Sequence, residues 1–297
     1  MSDDQFPRAA SSQNTHSASL NDDFEPPSTS NLYKFGLAEG DRDRLIAQTY
    51  LFTQYLREQA KIFIEIPVKR ILDLGCGEGQ LTVTLGRIFP DAEVIGIDSD
   101  EKAISEAQKN LQKLTIPPKN VQYVVGDAQE QLPDGPFDLI YASLVLVYVP
   151  KLDRALQMIF QRLSPGGYVW IKDGHPDWVK AIEHPAFYRL IGMAADAFTK
   201  MGGHPALGAE LPDILASIGF TDIRFESEIY PMTNQTLPGR IAISVVLGGL
   251  YNFRKVLAKT ENVPEEEILQ LHKELTDDIH NLKGQWKLAN VLARRPQ

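Results

Sequence analysis

Several things are scarce in this chain, and each scarcity excludes something. It has one cysteine, so no intrachain disulfide is available, and Cys76 sits inside a glycine-rich turn with no partner base suggested nearby, which argues against a thiol nucleophile. Basic residues are outnumbered: 30 Lys and Arg against 39 Asp and Glu leave a net charge of −9, the wrong sign for gripping a phosphate backbone, so no nucleic acid partner is expected. Paired cysteines and an H-x-x-x-H spacing are both missing, so no metal is expected. The longest apolar stretch, "IAISVVLGGLY" at 241–251, falls short of the roughly 20 residues that cross a bilayer, so no membrane span is expected. The opening "MSDDQFPRAASSQ" lacks the basic flank and apolar centre of a secretory leader, and the expected location is cytoplasmic.

What is present is a chain of 297 residues, 43% apolar, long enough to bury a full core. Residues 1–31 hold only Phe6, Leu20 and Phe24 as large apolar groups, too few to offset the entropy of ordering them, and are expected to form a disordered acidic tail, with a lid over a ligand as the alternative. Residues 32–297 are expected to form a single domain. Leu45, Phe52, Tyr55 and Leu56 mark a long helix before the first strand. Strand and helix signals then alternate: "RILDL", "AEVIGID", "VQYVVGD", "FDLIYA" and "YVWIKD" read as strands, with helical spacing between them, as at Leu152, Leu156, Ile159 and Leu163. This predicts a doubly wound α/β sheet, its continuous apolar strands buried on both faces. "TDIRFESEIY" alternates as an edge or antiparallel strand does, and "QWKLANVLARR" is the last strand. Two segments, about 174–208 and 237–283, interrupt the pattern and read as helical cap insertions.

The sharpest local signal is "RILDLGCGEGQ" at 70–80. A glycine turn between strand and helix lets backbone N–H groups and a helix N-terminus approach a ligand. The dinucleotide pattern G-x-G-x-x-G, counted from Gly75 and Gly77, asks for glycine at Gln80; the third glycine is Gly79. Asp73 and Glu78 add negative charge, which suits a cationic ligand better than a pyrophosphate. The turn alone leaves both ligand classes open.

Its companions decide. "ILDLGCGEG" resembles the first motif of class I S-adenosylmethionine-dependent methyltransferases. It is followed in order by "GIDSD", "VVGDAQE", "FDLIYASLVLVYV" and "LSPGGYVWI", each similar to that family's later motifs. The resemblance covers about residues 33–173 and implies a Rossmann-like sheet, mostly parallel with an antiparallel C-terminal strand, and S-adenosyl-L-methionine as cofactor. It implies that Asp73, Gly75 and Gly77 hold the amino acid end, that Asp98 and the adjoining Ser99 meet the ribose, that Asp127 and Ala128 lie by the adenine, and that Ser143 lies beneath the methionine part. The upstream "NLYKFGLAEGDRDRLIAQ" resembles an N-terminal helix of small-molecule members, which would bring Tyr33 and Gln48 to the methionine end.

Methyl transfer from a sulfonium is an in-line displacement that needs alignment above all, and a base only for a protonated nucleophile. "IKDGHPDW" places Asp173 and His175 beyond the fifth strand, where such sheets bind ligands, and His175 is the expected catalytic base. A turn-capping histidine is the competing reading; His184 and His204 are lesser candidates. "YASL" stands where enzymes that methylate the amino groups of DNA adenine or glutamine carry N/D-P-P-Y/F, so those acceptors are not expected. Apolar residues of the insertions, Phe187, Ile191, Phe198, Val245, Leu250 and Phe253 among them, predict a small, largely hydrophobic acceptor, as in enzymes related to quinone-biosynthesis methyltransferases. A protein or peptide side chain as acceptor, or a catalytically silent cofactor-binding partner subunit, stay open as alternatives.

Overall fold

The computed structural model describes residues 42–180 and 182–297. The expected tail and Tyr33 lie outside the described residues. α1 (Arg42–Phe63) leads into β1 (Arg70–Leu74), and from there strands and helices alternate as α2 (Gln80–Ile88), β2 (Glu93–Asp98), α3 (Glu101–Lys113), β3 (Val121–Val125) and β4 (Phe137–Ser143). A short 3-10 turn (Leu146–Tyr148) precedes α4 (Leu152–Arg162) and β5 (Leu163–Gly174), which starts earlier than expected because Leu163 already pairs with Phe137, "SPGG" forming an irregularity before Tyr168 pairs with Leu139. After the 3-10 turn Trp178–Lys180 come α5 (Pro185–Lys200), α6 (Leu207–Ile218), β6 (Thr221–Met232), α7 (Leu237–Glu261), α8 (Glu265–Asp277) and β7 (Gly284–Arg294).

The seven strands form one sheet in the order β3-β2-β1-β4-β5-β7-β6. Neighbours from β3 through β5 pair in parallel, and β7 runs antiparallel to both β5 and β6, which agrees with the predicted doubly wound sheet and its antiparallel last strand. The register places Leu74 opposite both Ile97 and Ala142, and Asp98 opposite Val125. The loops that leave β1, β2, β3 and β4 therefore emerge side by side at the carboxyl edge. The strand order reverses between β1 and β4, where open α/β sheets bind ligands.

Both faces are covered. Leu72, Leu74, Ile95, Ile140, Val169 and Ile171 pack against α4 and α6, and the opposite face buries Trp170 edge-on to Tyr141 (5.3 Å) and Phe63 (5.1 Å) beneath α1. A separate apolar cluster joins α1, α5, α7 and α8 through Leu51, Phe52, Phe187, Leu190, Ile243, Leu247 and Leu271. α7 is long and apolar enough to cross a bilayer by length and composition, but half of its most apolar window is buried inside this packing.

A polar cluster lies deep in the sheet. Lys172 on β5 is fully buried; its Nζ stands 2.8 Å from Glu228 Oε2 on β6 and over the α1 rings of Phe52 (4.2 Å) and Tyr55 (4.8 Å). Asn290 on β7 donates to Glu228 Oε2 at 2.8 Å, accepts from Trp170 Nε1 at 2.8 Å, and Tyr230 Oη donates to Glu228 as well. Burial lowers the pKa of Lys172 below its ordinary value, with Glu228 pulling the other way.

Candidate functional site

The glycine turn is built from backbone. Gly75, Gly77 and Gly79 all take positive φ (68°, 54° and 87°). A Cβ at Gly75 would overlap Val145 Cγ2 and one at Gly79 would overlap the Tyr123 hydroxyl, whose proton goes to Gly79 O at 2.8 Å. A Cβ at Gly77 would meet nothing within 4 Å: it faces open space. That space is a cavity of about 300 Å³ lined by Gly75, Cys76, Gly77, Glu78, Gln48 and Ser143, together with Arg44, Phe52, Leu144 and Tyr148.

Asp73 lies buried under the turn, accepting from Thr82 Oγ1 at 2.6 Å; burial pushes its carboxyl up to about 7 and Asp98 adds to the rise, while the Thr82 bond opposes it. Asp98, at the end of β2, accepts from Gly77 N at 2.9 Å and Asp100 N at 3.0 Å, tying turn to strand. Gly126 N donates to Asp98 O at 3.0 Å, and Asp127 accepts from Gln129 N at 2.7 Å, so the ends of β2 and β3 are linked. Ser99 is exposed, and the cap of α3 is Asp100, which accepts from Lys102 N at 2.9 Å. Ala128 packs on the core behind this edge.

Of the residues named from sequence, Gln48, Gly75, Gly77 and Ser143 line one cavity; Asp73 lies beneath it, and Asp98, Ser99, Asp127 and Ala128 stand along the adjoining strand ends. The residues fit a bound cationic nucleotide-like cofactor: a glycine with open space before it, a buried carboxyl behind, and Ser143 Oγ buried there with no hydrogen-bond partner of good geometry among the described residues.

A second cavity, about 530 Å³, opens beside the first. Phe187, Ile191, Ala194 and Phe198 of α5, Val245, Val246, Gly249, Leu250 and Phe253 of α7, and Trp178 and Trp286 make most of its wall. Arg44, Gln48 and Tyr148 line both cavities, and Arg44 Nη1 donates to Gln48 Oε1 at 3.1 Å. Sequence reasoning passed over Arg44, although it lies one helical turn before Gln48 on the same face. It also missed Leu144, whose φ of 53° is unusual for a branched residue and whose amide donates to Lys172 O at 2.7 Å, bending the chain under the first cavity.

His175 sits apart from both cavities. Its Nδ1 accepts from Asp177 N at 2.9 Å, which fixes the proton on Nε2, and Nε2 faces Ser227 Oγ on β6 at 3.0 Å. Buried and with both ring nitrogens occupied, it lines neither cavity, and burial holds its pKa below the ordinary value. It caps a turn. His184 caps α5 by accepting from Ala186 N at 3.2 Å, and His204 sits in the turn after α5, its amide on Val147 O; neither lines either of these two cavities. Asp173 is fully buried and holds the 3-10 turn by accepting from Val147 N at 3.0 Å; burial pushes it up to about 7 against the pull of the backbone N–H groups.

The comparisons with known proteins agree with this fold. A model described as a methyltransferase domain matches residues 67–210. A trans-aconitate 2-methyltransferase of Deinococcus radiodurans is 31% identical over 195 residues, 62% of this chain and 69% of that protein. A mitochondrial ubiquinone biosynthesis O-methyltransferase of Rattus norvegicus is 38% identical over 104 residues, 34% of this chain and 30% of that protein. Among solved structures, a phosphoethanolamine N-methyltransferase of Haemonchus contortus, in complex with phosphomonomethylethanolamine and S-adenosylhomocysteine, has a TM-score of 0.55 at 18% identity, covering 89% of this chain and 61% of that one, a likeness of fold.

Proposed function

The chain belongs to the class I S-adenosylmethionine-dependent methyltransferases, and we propose that it methylates a small, largely apolar metabolite held between α5 and α7. The cofactor supplies an activated methyl group on a sulfonium. One observation carries the reading: a cavity at the glycine turn and an apolar cavity share a wall, Arg44, Gln48 and Tyr148. A methyl group handed across that wall travels from one ligand to the other without crossing solvent, and alignment is what such a displacement needs.

The relatives support a small acceptor, since trans-aconitate and ubiquinone precursors are metabolites. The lining supports an apolar one: a polyanion such as trans-aconitate would lose hydration against Phe187, Ile191, Phe198 and Leu250 with little to replace it. In this reading Gly75 and Gly77 take the amino acid end of the cofactor, Asp98 the ribose, Asp127 and Ala128 the adenine, Gln48 and Ser143 the methionine part. The engaged ring of His175 supports an acceptor that reaches the site already deprotonated, or one deprotonated by another group.

Gly249 provides the test. It lines the second cavity on α7, and a Cβ there meets nothing within 4 Å, so Gly249→Leu fills the cavity while improving helix propensity. With methyl-labelled cofactor and a panel of apolar acids, phenols and alcohols, at least one acceptor should be labelled by the wild type and none by Gly249→Leu, with S-adenosylmethionine affinity unchanged by calorimetry. Undiminished labelling by Gly249→Leu would place the acceptor elsewhere.

A further inference from the structure

We propose that Tyr230, which lines neither cavity, is a positioning residue for the acceptor: its hydroxyl ties the indole of Trp286, part of the second cavity's wall, to the buried Lys172–Glu228 pair. This rests on the two-cavity reading above. Tyr230 on β6 and Trp286 on β7 stand directly opposite in the antiparallel register, with ring centres 5.4 Å apart on one face of the sheet. Phe52 of α1 closes a triangle, 5.7 Å from Trp286 and 6.3 Å from Tyr230. Trp286 lines the second cavity and Phe52 the first, so the triangle of rings joins the two walls from behind.

Apolar contact is non-directional, and three tilted rings held by it alone can slide past one another. Two of these rings have a polar anchor. Tyr230 Oη donates to Glu228 Oε1, which also accepts from Lys172 Nζ at 3.0 Å, while Glu228 Oε2 accepts from Asn290 Nδ2 at 2.8 Å. Lys172 sets its ammonium 4.2 Å from the centre of the Phe52 ring. The carboxylate thus holds one ring, the ammonium holds another, and the indole of Trp286 is packed against both. A buried ion pair costs desolvation and is a weak source of stability compared with well-packed apolar residues. What it adds here is direction, because a hydrogen bond constrains the angle at which the ring beside Trp286 stands. That angle sets the wall an acceptor meets, and methyl transfer depends on how the acceptor is aligned. Removing the hydroxyl alone separates this role from folding: in Tyr230→Phe the ring remains, and Glu228 keeps both Lys172 and Asn290.

The experiment uses the full chain with S-adenosylhomocysteine present and two readouts. The first is binding of N-phenyl-1-naphthylamine, a neutral apolar fluorophore, by the wild type, Tyr230→Phe and Gly249→Leu. The second is the fluorine spectrum of protein carrying 5-fluorotryptophan at its three tryptophans, with the Trp286 signal assigned by Trp286→Phe. Tyr230→Phe should weaken the fluorophore by about 3- to 10-fold, as expected for a wall that has lost pre-organisation, and should shift or broaden the Trp286 signal while that of Trp178 keeps its place. S-adenosylhomocysteine affinity should stay within about twofold. Fluorophore affinity and Trp286 signal both unchanged, or one changed without the other, overturns the inference, as does an equal loss of S-adenosylhomocysteine affinity, the mark of general loosening. A wild type that does not bind the fluorophore, or a Gly249→Leu variant that binds it undiminished, overturns the two-cavity reading instead.

Discussion

The two cavities are made of different materials. The first is built from backbone: glycines at positive φ, strand ends in register, and carboxylates that accept main-chain N–H bonds. The second is built from side chains carried by helices, Phe187 to Phe198 on α5 and Val245 to Phe253 on α7. A backbone-built site is fixed in shape and intolerant of a single added atom. A side-chain-built site changes shape and preference by small steps, which suits a fold that keeps one cofactor and varies its acceptor.

The contrast is broken most completely from beneath. Lys172→Met leaves Glu228 as a buried, uncompensated charge and removes the ammonium from under Phe52 and Tyr55, so stability should fall by about 3–5 kcal/mol in urea unfolding and both cavities should lose their ligands. Adding Glu228→Gln should recover most of the loss. Gly75→Ala comes next, with a residue forced to φ 68° and a methyl against Val145, at a cost of about 1–3 kcal/mol that appears as weaker S-adenosylmethionine binding.

A pH series addresses the first cavity alone. Asp73 is pushed up to about 7, so below that pH it is protonated and gives a cationic ligand no counter-charge; above it the carboxylate is present. S-adenosylmethionine affinity should therefore rise by up to about tenfold between pH 6 and pH 8, and Asp73→Asn should flatten the curve. The smallest change belongs to the second cavity: Ile191→Val removes one methylene from the wall, worth about 0.5–1.5 kcal/mol, and should alter the ranking of acceptors while cofactor affinity stays put.

Much of the first region was legible in the sequence because its information is local. "RILDL" begins and ends where β1 does, and the expected strand "VQYVVGD" starts with β3 and runs two residues past its end; each motif is a strand end with its candidate residues within a few positions. The second region resists such reading because its wall is gathered from residues 44–48, 148, 178, 187–198, 245–253 and 286. Neighbours in sequence part company there. Leu190 and Ile191 are both buried in the cluster of helices, but only Ile191 lines the cavity, a choice made by the rotation of α5 against α7. The surroundings of His175 are hidden for the same reason. Its ring is claimed by Ser227, a residue 52 positions away on a strand whose pairing no local pattern reveals.

The shared wall has a thermodynamic corollary. Because Arg44, Gln48 and Tyr148 face both spaces, whatever one ligand does to order them is felt by the other, and linkage requires the effect to be equal in both directions. If the nucleotide-like ligand tightens the acceptor's hold by some factor, the acceptor tightens the nucleotide's by that same factor. Such reciprocity makes the half-filled enzyme a weak binder of either partner and the doubly filled one a slow releaser, until the transfer of a single carbon alters what both sides of the wall present to it.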